Sequence, residues 1–306
     1  MKKIFYLIAC VFGITITSCK KTVLKQISDP ATGVQIKFIH AAPGVPALDA
    51  FVNSIQITPT VNASLTDNAL PTSVITGYSY LGVFPASNYA VVVSGNTSIK
   101  VAASTPKPAL ISKQTIAPAT TVGSITQNTV DGSAYSVFTI GLPGAATNGL
   151  TTKIIEDKFP DAASGKAYIR LAQLIPNSAA AIDLQGTYTP TGAAATTKTI
   201  LTNLSYPAVS DFVAVDVNPI STTAYTFQMY LTGTTTKLGT VSASLALAPG
   251  RYYTIIGRGL AADYVVPGTG ITLKTSTRPT LPVTDPTTKY PEIYFNPAGL
   301  TFYTNK

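Results

Sequence analysis

Charged residues, histidine and cysteine are scarce in this sequence, and each shortage excludes a class of protein. Only 11% of the 306 residues are charged, against about 25% in an average soluble protein. Because helical surfaces are usually coated with Glu, Lys and Arg, the chain cannot coat many helices. His40 is the only histidine and there are two cysteines, so zinc sites of the usual kinds are excluded. We therefore expect neither a helical fold nor a bound cofactor.

The abundant residues favour short β-strands joined by turns. Threonine, valine, isoleucine and tyrosine are common, and 22 glycines and 22 prolines interrupt them. Val34, Ile36 and Phe38 alternate with Gln35 and Lys37, which is the period of a strand with one buried face. Because no segment shows a convincing helical stripe with caps, we predict an all-β fold.

The net charge of +8 is spread along the chain. The basic residues form no cluster beyond Lys20 and Lys21, whereas a protein that binds nucleic acid needs a concentrated basic patch. We therefore expect no nucleic-acid partner, and we interpret the charge as a cationic surface near anionic envelope components.

The first 19 residues have the layout of a bacterial export signal. Lys2 and Lys3 form a short positive region, and residues 4–16 are almost wholly apolar. This length suits a signal peptide and is too short for a transmembrane helix. The sequence ITSC at residues 16–19 then resembles the bacterial lipobox, in which the cysteine takes a diacylglyceryl group. We expect cleavage before Cys19; the alternative is a plain secretory peptide with a stray cysteine.

Lipid on Cys19 would place the mature chain at a membrane and would leave it without a free thiol. Cys10, the other candidate, lies inside the apolar run and would leave too short a signal. After cleavage only Cys19 remains, so we expect no disulfide and no thiolate chemistry. Lipid chains contribute roughly 0.8 kcal/mol per buried methylene, and stable anchoring takes more than one chain. The predicted partner is therefore a membrane, reached through Cys19.

The two halves of the chain resemble each other. Each copy opens on an apolar segment and then reaches an aspartate between apolar residues, Asp49 in the first and Asp183 in the second. The aligned segments are 36–43 with 169–176, 48–50 with 182–184, 78–80 with 204–206, and 135–138 with 253–256. This spacing indicates a duplicated domain rather than a solenoid.

The division of the chain follows from this repeat and from the polar segment 156–166, which carries Pro and Gly and is interpreted as a linker. The predicted parts are a signal peptide (1–18), a lipidated tether (19–33), a first β-sandwich repeat (34–155), the linker (156–166), a second β-sandwich repeat (167–274) and a Pro- and Thr-rich C-terminal extension with a candidate hairpin (275–306).

The opening IKFIHAAPGVPALDAFVN, residues 36–53, resembles the bacterial family called domain of unknown function 4397. Repeats of that family begin with a strand, His-Ala-Ser/Ala-Pro and an aliphatic–Asp pair, and residues 248–259 resemble its later strand. The resemblance covers most of residues 34–264, and Gln173 replaces the histidine in the second copy. It implies β-sandwich domains in exported and surface proteins, often lipoproteins of the Bacteroidota, and brings no biochemical activity. We predict two tandem antiparallel β-sandwich domains of Ig-like or transthyretin-like type.

The location of the anchor is only partly fixed by the sequence. Lipoproteins that Bacteroidota send to the cell surface often carry acidic residues just after the cysteine, and here Lys20 and Lys21 hold those positions. We expect a lipid-anchored protein of the cell envelope, in the outer membrane, and both the periplasmic and the surface face stay open.

His40 is interpreted as a structural residue rather than a catalytic base. It is in phase with Val34, Ile36 and Phe38, so strand alternation points it towards the core. A core polar group that hydrogen-bonds the neighbouring proline loop explains both His40 and Gln173, whereas a catalytic base explains only His40.

The acidic residues offer two further hypotheses. Asp49 and Asp183 alternate with apolar neighbours, so we expect them to face solvent or to bond a turn. Glu156, Asp157 and Asp161 could suggest calcium, but they lack the spacing of a known calcium loop, and we interpret them as a solvated linker. A carboxylate pair for glycoside hydrolysis stays open, because its members need only meet in space.

The aromatic residues near the C-terminus could stack on sugar rings. They are Tyr290, Tyr294, Phe295, Phe302 and Tyr303. The competing interpretation is that tyrosine is a good strand former that half-buries easily.

These expectations combine into one predicted function with two alternatives. The prediction is a membrane-anchored, non-enzymatic envelope lipoprotein that serves adhesion, scaffolding or ligand binding, with an envelope protein or a glycan as partner. The first alternative is a carbohydrate-binding lipoprotein of a glycan-uptake system. The second is a glycoside hydrolase with an unrecognised carboxylate pair.

Overall fold

A computed structural model describes residues 32–59, 77–105, 115–190, 192–276, 292–294 and 297–306. Across these ranges every regular element is a β-strand, which confirms the all-β prediction. No helix in these ranges is long and apolar enough to cross a membrane. Cys19, Tyr290 and Phe295 lie outside the described residues.

The described residues of the first half form nine strands. They are β1 (Val34–His40), β2 (Leu48–Val52), β3 (Ile55–Gln56), β4 (Val83–Phe84), β5 (Ala90–Val92), β6 (Gly95–Ala103), β7 (Thr121–Thr129), β8 (Ala134–Ile140) and β9 (Thr151–Glu156). The order β4-β1-β8-β9 forms the first inner sheet, with β5 also paired to β1, and β3-β2-β6-β7 forms the first outer sheet. Apolar side chains of both sheets pack into one core, among them Phe38, Leu48, Ile99 and Val137.

The second half repeats this plan. Its strands are β10 (Lys166–Gln173), β11 (Ile182–Tyr188), β12 (Thr196–Leu204), β13 (Val213–Asp216), β14 (Thr223–Leu231), β15 (Lys237–Leu238), β16 (Leu245–Leu247), β17 (Tyr252–Arg258), β18 (Tyr264–Val266), β19 (Ile271–Lys274), β20 (Glu292–Tyr294) and β21 (Gly299–Thr304). The second inner sheet is β13-β10-β17-β21, and the second outer sheet is β12-β11-β14-β15 with β16 on β14. A small sheet, β18-β19-β20, stands apart from these.

Most strand pairs are antiparallel, but the central pair of each inner sheet is parallel. Strand β1 pairs with β8, with Ile36 opposite Tyr135, and β10 pairs with β17, with Ile169 opposite Tyr253. The repeat seen in the sequence aligns these same residues with each other. Equivalent positions in the two halves therefore make equivalent pairs. The finer assignment to an Ig-like or transthyretin-like type stays a prediction.

Strand β1 is buried on both faces, so the expectation of a strand with one face in water was wrong. Phe38 and Lys37 point to opposite faces and are both 0% exposed. The reason is that the two inner sheets pack against each other. Their contact contains a third apolar cluster, to which β1 and β8 contribute Ile39 and Phe138 and the second sandwich contributes Ala172 and Ile256. The four large sheets thus stack in the order outer, inner, inner, outer.

The segment between the sandwiches and the end of the chain both belong to this stack. Strand β9 ends at Glu156 and β10 begins at Lys166, but Asp157 between them is buried, which corrects the expectation of a solvated carboxylate there. Strand β21 pairs with β17 and β20 pairs with β19. The two C-terminal strands therefore join different sheets instead of forming the candidate hairpin. The described residues from Gly33 onwards belong to one compact unit.

Truncation of Phe138 to alanine should lower the free energy of unfolding by about 3–5 kcal/mol, because Phe138 is fully buried where the inner sheets meet. Urea denaturation of the full chain measures the change. The control is Val265→Ala, since Val265 is 63% exposed and should change stability by less than about 0.5 kcal/mol. Equal stabilities of the two variants would mean that the sandwiches are not packed through Phe138.

Candidate functional site

A group of buried polar side chains lies beside the apolar part of the contact between the two inner sheets. Lys37 is opposite Ser136 on β8, and Arg170 is opposite Thr254 on β17. All four are at most 2% exposed. The sequence repeat aligns Lys37 with Arg170 and Ser136 with Thr254. Each sandwich therefore places a cation and a hydroxyl at the same position on the face that it turns to the other.

Asp157 supplies the negative charge of this group. Its Oδ1 lies 2.6 Å from a terminal nitrogen of Arg170. Its Oδ2 accepts hydrogen bonds from the hydroxyls of Tyr89 at 2.6 Å and Ser136 at 2.8 Å, and from the amide of Asn305 at 3.4 Å. Both carboxylate oxygens are thus engaged, by residues from both halves of the fold.

Arg170 spreads its remaining donors over the same group. Its Nε donates to Thr254 at 2.8 Å, and a terminal nitrogen donates to Ser136 at 2.9 Å. The guanidinium also lies 4.7 Å from the ring centre of Phe212. Burial by itself lowers the pKa of Arg170, but Tyr303 and Asp157 outweigh it, so the pKa is raised above its usual value. The arginine therefore stays charged inside the protein.

Lys37 is held less firmly than its counterpart Arg170. Its Nζ donates to the carbonyl oxygens of Ser87 and Thr304, both at 3.1 Å. It also faces the rings of Tyr89 at 4.8 Å and Tyr303 at 5.6 Å. Burial lowers the pKa of Lys37 to about 8, and the attraction of Asp157 opposes part of that shift.

A cleft of about 590 Å³ opens beside this polar group, between the two sandwiches. Tyr89, Asp157 and Asn305 link the cleft to the buried network, and Phe159 adds an aromatic side chain. Its other lining residues are Gln35, Asn88, Val91, Gly132, Ser133, Ala134, Glu156, Arg251 and Lys306. Because this lining comes from both halves, the cleft depends on how the two inner sheets meet.

His40 is fully buried, and its ring nitrogens are both occupied by backbone groups. The amide of Ala42 donates to Nδ1 at 3.3 Å, so Nε2 carries the proton. Nε2 then lies 3.0 Å from the carbonyl oxygen of Pro46 and 3.3 Å from that of Val45. Burial lowers the pKa of His40 to about 4, so the ring is neutral at pH 7.

Gln173 occupies the matching place in the second copy. It is fully buried, and its Oε1 accepts from the amide of Ile175 at 3.5 Å, two residues further on, as Nδ1 of His40 accepts from Ala42. Both side chains therefore stabilise the start of the loop that follows the central strand.

The two repeat aspartates bond nearby turns. Asp183 accepts from the amide of Asn203 and the hydroxyl of Thr232, both at 2.8 Å. Burial works against its charge, but these bonds and one from Gly233 hold the pKa of Asp183 below its usual value. Asp49 is 8% exposed and accepts from the hydroxyl of Thr58 at 3.2 Å, so Asp49 does not face solvent.

Of the C-terminal aromatics, the structure describes the side chains of Phe302 and Tyr303, and these differ in exposure. Tyr303 is buried and its hydroxyl lies 3.1 Å from that of Ser136, which removes it from the set of exposed sugar contacts. Phe302 is 39% exposed. The side chains of Tyr290 and Tyr294 lie outside the described residues.

In the part of the chain that the structure describes, no group of three His, Cys, Asp or Glu residues could hold a metal ion.

The residues that join the sandwiches were missed by sequence reasoning. A signal existed for Lys37 and Arg170, because the repeat places both cations in the middle of apolar strands at the same position. Asp157 gave no such signal, since it stands in a polar segment with Pro and Gly, and its partners are distant in sequence.

Replacement of Arg170 by methionine should lower the free energy of unfolding by about 3–5 kcal/mol, because Asp157 would be left buried without its cation. The double variant Arg170→Met/Asp157→Asn should recover part of the loss. The control is Lys198→Met, which breaks the ion pair between Lys198 and Asp216. These two side chains are 54% and 47% exposed, so the control should change stability far less than Arg170→Met does. A loss no greater than that of the control would contradict a structural role for the buried pair.

The variant His40→Gln should fold at pH 7 and show a flatter acid dependence than the wild type. The unfolded chain binds a proton on His40 with a pKa near 6.5, whereas the folded protein does so only near pH 4. The wild type therefore loses stability on this account as the pH falls from 6.5 towards 4. Chemical denaturation at several pH values measures both curves. Parallel curves, or a variant that fails to fold, would show that His40 is not a neutral core group replaceable by glutamine.

Comparison with known proteins finds one family and several distant structures. The similar solved structures include a leucine-rich repeat protein from Bacteroides thetaiotaomicron (13% identity, 76% of this chain and 26% of that one, TM-score 0.19) and a candidate cell adhesion protein from Bacteroides ovatus (9% identity, 74% of this chain and 91% of that one, TM-score 0.22). The chain thus spans about a quarter of the length of the leucine-rich repeat protein. At these TM-scores neither likeness supports an argument about fold or function. No curated protein matches the chain.

The family match covers a well-defined part of the fold. Residues 34–185 match the model of a family described as "Domain of unknown function (DUF4397)". The match begins at the first residue of β1 and ends inside β11, so it contains the whole first sandwich and Asp157. The resemblance found in the opening sequence is thereby supported over residues 34–185.

Proposed function

We propose that the protein is a lipid-anchored, non-enzymatic module of the bacterial cell envelope, in which two domains of this family form one rigid body for adhesion, scaffolding or ligand binding. The anchor and the envelope location are supported by the sequence of residues 1–19, and the single rigid body is supported by the buried network between the inner sheets. A buried network in which Arg170 pairs with Asp157 and Lys37 bonds two backbone carbonyls favours one arrangement of the two sandwiches over others. A body of this kind can present groups from both domains to a single partner.

The second domain is proposed as a further copy of the first. Its support is the equivalent pairing of β1 with β8 and of β10 with β17. The backbone around the two openings is also equivalent: the amide of His40 donates to Gly82, and the amide of Gln173 donates to Ala208.

The proposal of a non-enzymatic role rests on the state of the acid and base groups. His40 is neutral at pH 7 and both ring nitrogens are bonded to the backbone, so the ring has no capacity to move a substrate proton. A glycoside hydrolase needs two carboxyl groups about 5–10 Å apart. Glu156 and Asp157 both line the cleft, but the oxygens of Asp157 are already engaged by Arg170, Tyr89 and Ser136. We infer that this pair does not act as an acid and a nucleophile.

Carbohydrate binding is the second candidate function, and the cleft between the sandwiches favours it. The cleft combines the aromatic rings of Tyr89 and Phe159 with the amides of Gln35 and Asn88. Tyr303 is buried and is no longer a proposed sugar contact, whereas Tyr290, Tyr294 and Phe302 stay predictions.

The anchor is tested by labelling cells with a clickable fatty acid. The wild-type protein should incorporate the label and partition into detergent, and Cys19→Ser should lose both properties. The matched control Cys10→Ser should keep them, because Cys10 is removed with the signal peptide. Fractionation of the envelope should place the labelled protein in the outer membrane. An unlabelled wild type, or loss of label in Cys10→Ser alone, would refute the proposed anchor.

A further inference from the structure

We infer that the cleft between the two sandwiches binds a neutral saccharide, which it contacts through Tyr89, Phe159 and Asn88. This inference rests on the second candidate function and names both its site and its ligand class. The volume of about 590 Å³ lies within the range of clefts that hold small ligands, roughly 300–1,000 Å³.

The aromatic ring of Tyr89 is held in place before any ligand arrives. Its hydroxyl donates to Asp157 at 2.6 Å and accepts from the amide of Asn305 at 2.9 Å. The ammonium of Lys37 lies 4.8 Å from the ring centre. A ring fixed in this way loses little conformational entropy when a ligand stacks on it.

Phe159 is fixed by packing rather than by hydrogen bonds. Its ring centre lies 4.9 Å from that of Tyr252 and 5.4 Å from that of Phe212. The segment that holds Phe159 is therefore anchored to the second sandwich, while Tyr89 belongs to the first. A sugar ring has apolar C–H faces and polar edges, so it can use aromatic side chains from both sandwiches together with polar groups at the rim.

The rim supplies hydrogen bonds without a dominant charge. Asn88 and Glu156 are exposed residues of the first half, and Arg251 and Lys306 are exposed residues of the second. An amide and a carboxylate suit the donors and acceptors of neighbouring hydroxyl groups. The charged residues that line the cleft are two acids, Glu156 and Asp157, and two bases, Arg251 and Lys306. This balance favours a neutral polyhydroxylated ligand over an acidic or a basic polymer.

The test is a glycan array probed with the full lipoprotein in a detergent that has no sugar headgroup. The array carries neutral oligosaccharides beside uronate-containing, sialylated and sulfated ones. We expect binding to neutral oligosaccharides. Titration with the best neutral oligosaccharide should then show affinity lowered about ten-fold in Asn88→Ala, as for the loss of one hydrogen bond, and abolished in Asn88→Trp, which fills the cleft mouth.

The matched control is Asn128→Ala, because Asn128 is an exposed asparagine of β7 on the first outer sheet and should leave affinity unchanged. Thermal melts should be the same for all three variants, since both asparagines are exposed. Preferential binding of charged glycans would overturn the neutral class, and binding unchanged by Asn88→Trp would overturn the site while leaving carbohydrate binding in place. No glycan binding at all would remove the inference and the carbohydrate function together. The fatty-acid label on Cys19 tests the anchor independently of each of these results.

Discussion

The ion pair between Arg170 and Asp157 is the interaction on which the arrangement of the two sandwiches depends. An unpaired charge at this depth is unfavourable by several kcal/mol, so the second inner sheet can carry Arg170 on its contact face only where the first half supplies a carboxylate. Asp157 follows β9 directly and meets this need. The apolar cluster of Ile39, Phe138 and Ile256 adds buried area, but apolar contacts alone would tolerate a sliding of the sheets that the ion pair does not.

Composition and alternation were sufficient to predict an all-β fold, because strand patterns are local. The internal repeat could be predicted because two segments of the chain can be compared directly. The burial of Lys37 could not be predicted. The alternation along β1 was interpreted as one face in the core and one face in solvent, but the second sandwich covers the face that was expected to contact solvent. Burial of Asp157 depends on Arg170, Tyr89 and Ser136, which approach it only after both sandwiches have formed. A contact between two domains produces no periodic pattern of apolar and polar residues in the sequence of either domain, so the sequence does not reveal it.

The repeat also explains why the candidate site is asymmetric. Equivalent strands of the two sandwiches each place a cation on the inner sheet, yet the two cations face one shared carboxylate, Asp157. Arginine makes the direct contact because its planar group can bond Asp157, Ser136 and Thr254 at once and cannot be deprotonated. Lysine at the equivalent position bonds two backbone carbonyls and has a pKa lowered to about 8. The difference between arginine and lysine at these equivalent positions therefore explains why Arg170 is the cation that pairs with Asp157.

This asymmetry reaches the cleft through Asp157 and Tyr89, which belong to both the network and the lining. Because Arg170 neutralises Asp157, the inner end of the cleft carries no excess negative charge, and because Asp157 accepts the hydroxyl of Tyr89, the tyrosine ring keeps its orientation. The same bonds that fix the sandwiches therefore prepare the surface on which a ligand would stack. The contact between the two sandwiches thus provides a cleft that neither sandwich has alone, because its lining comes from both.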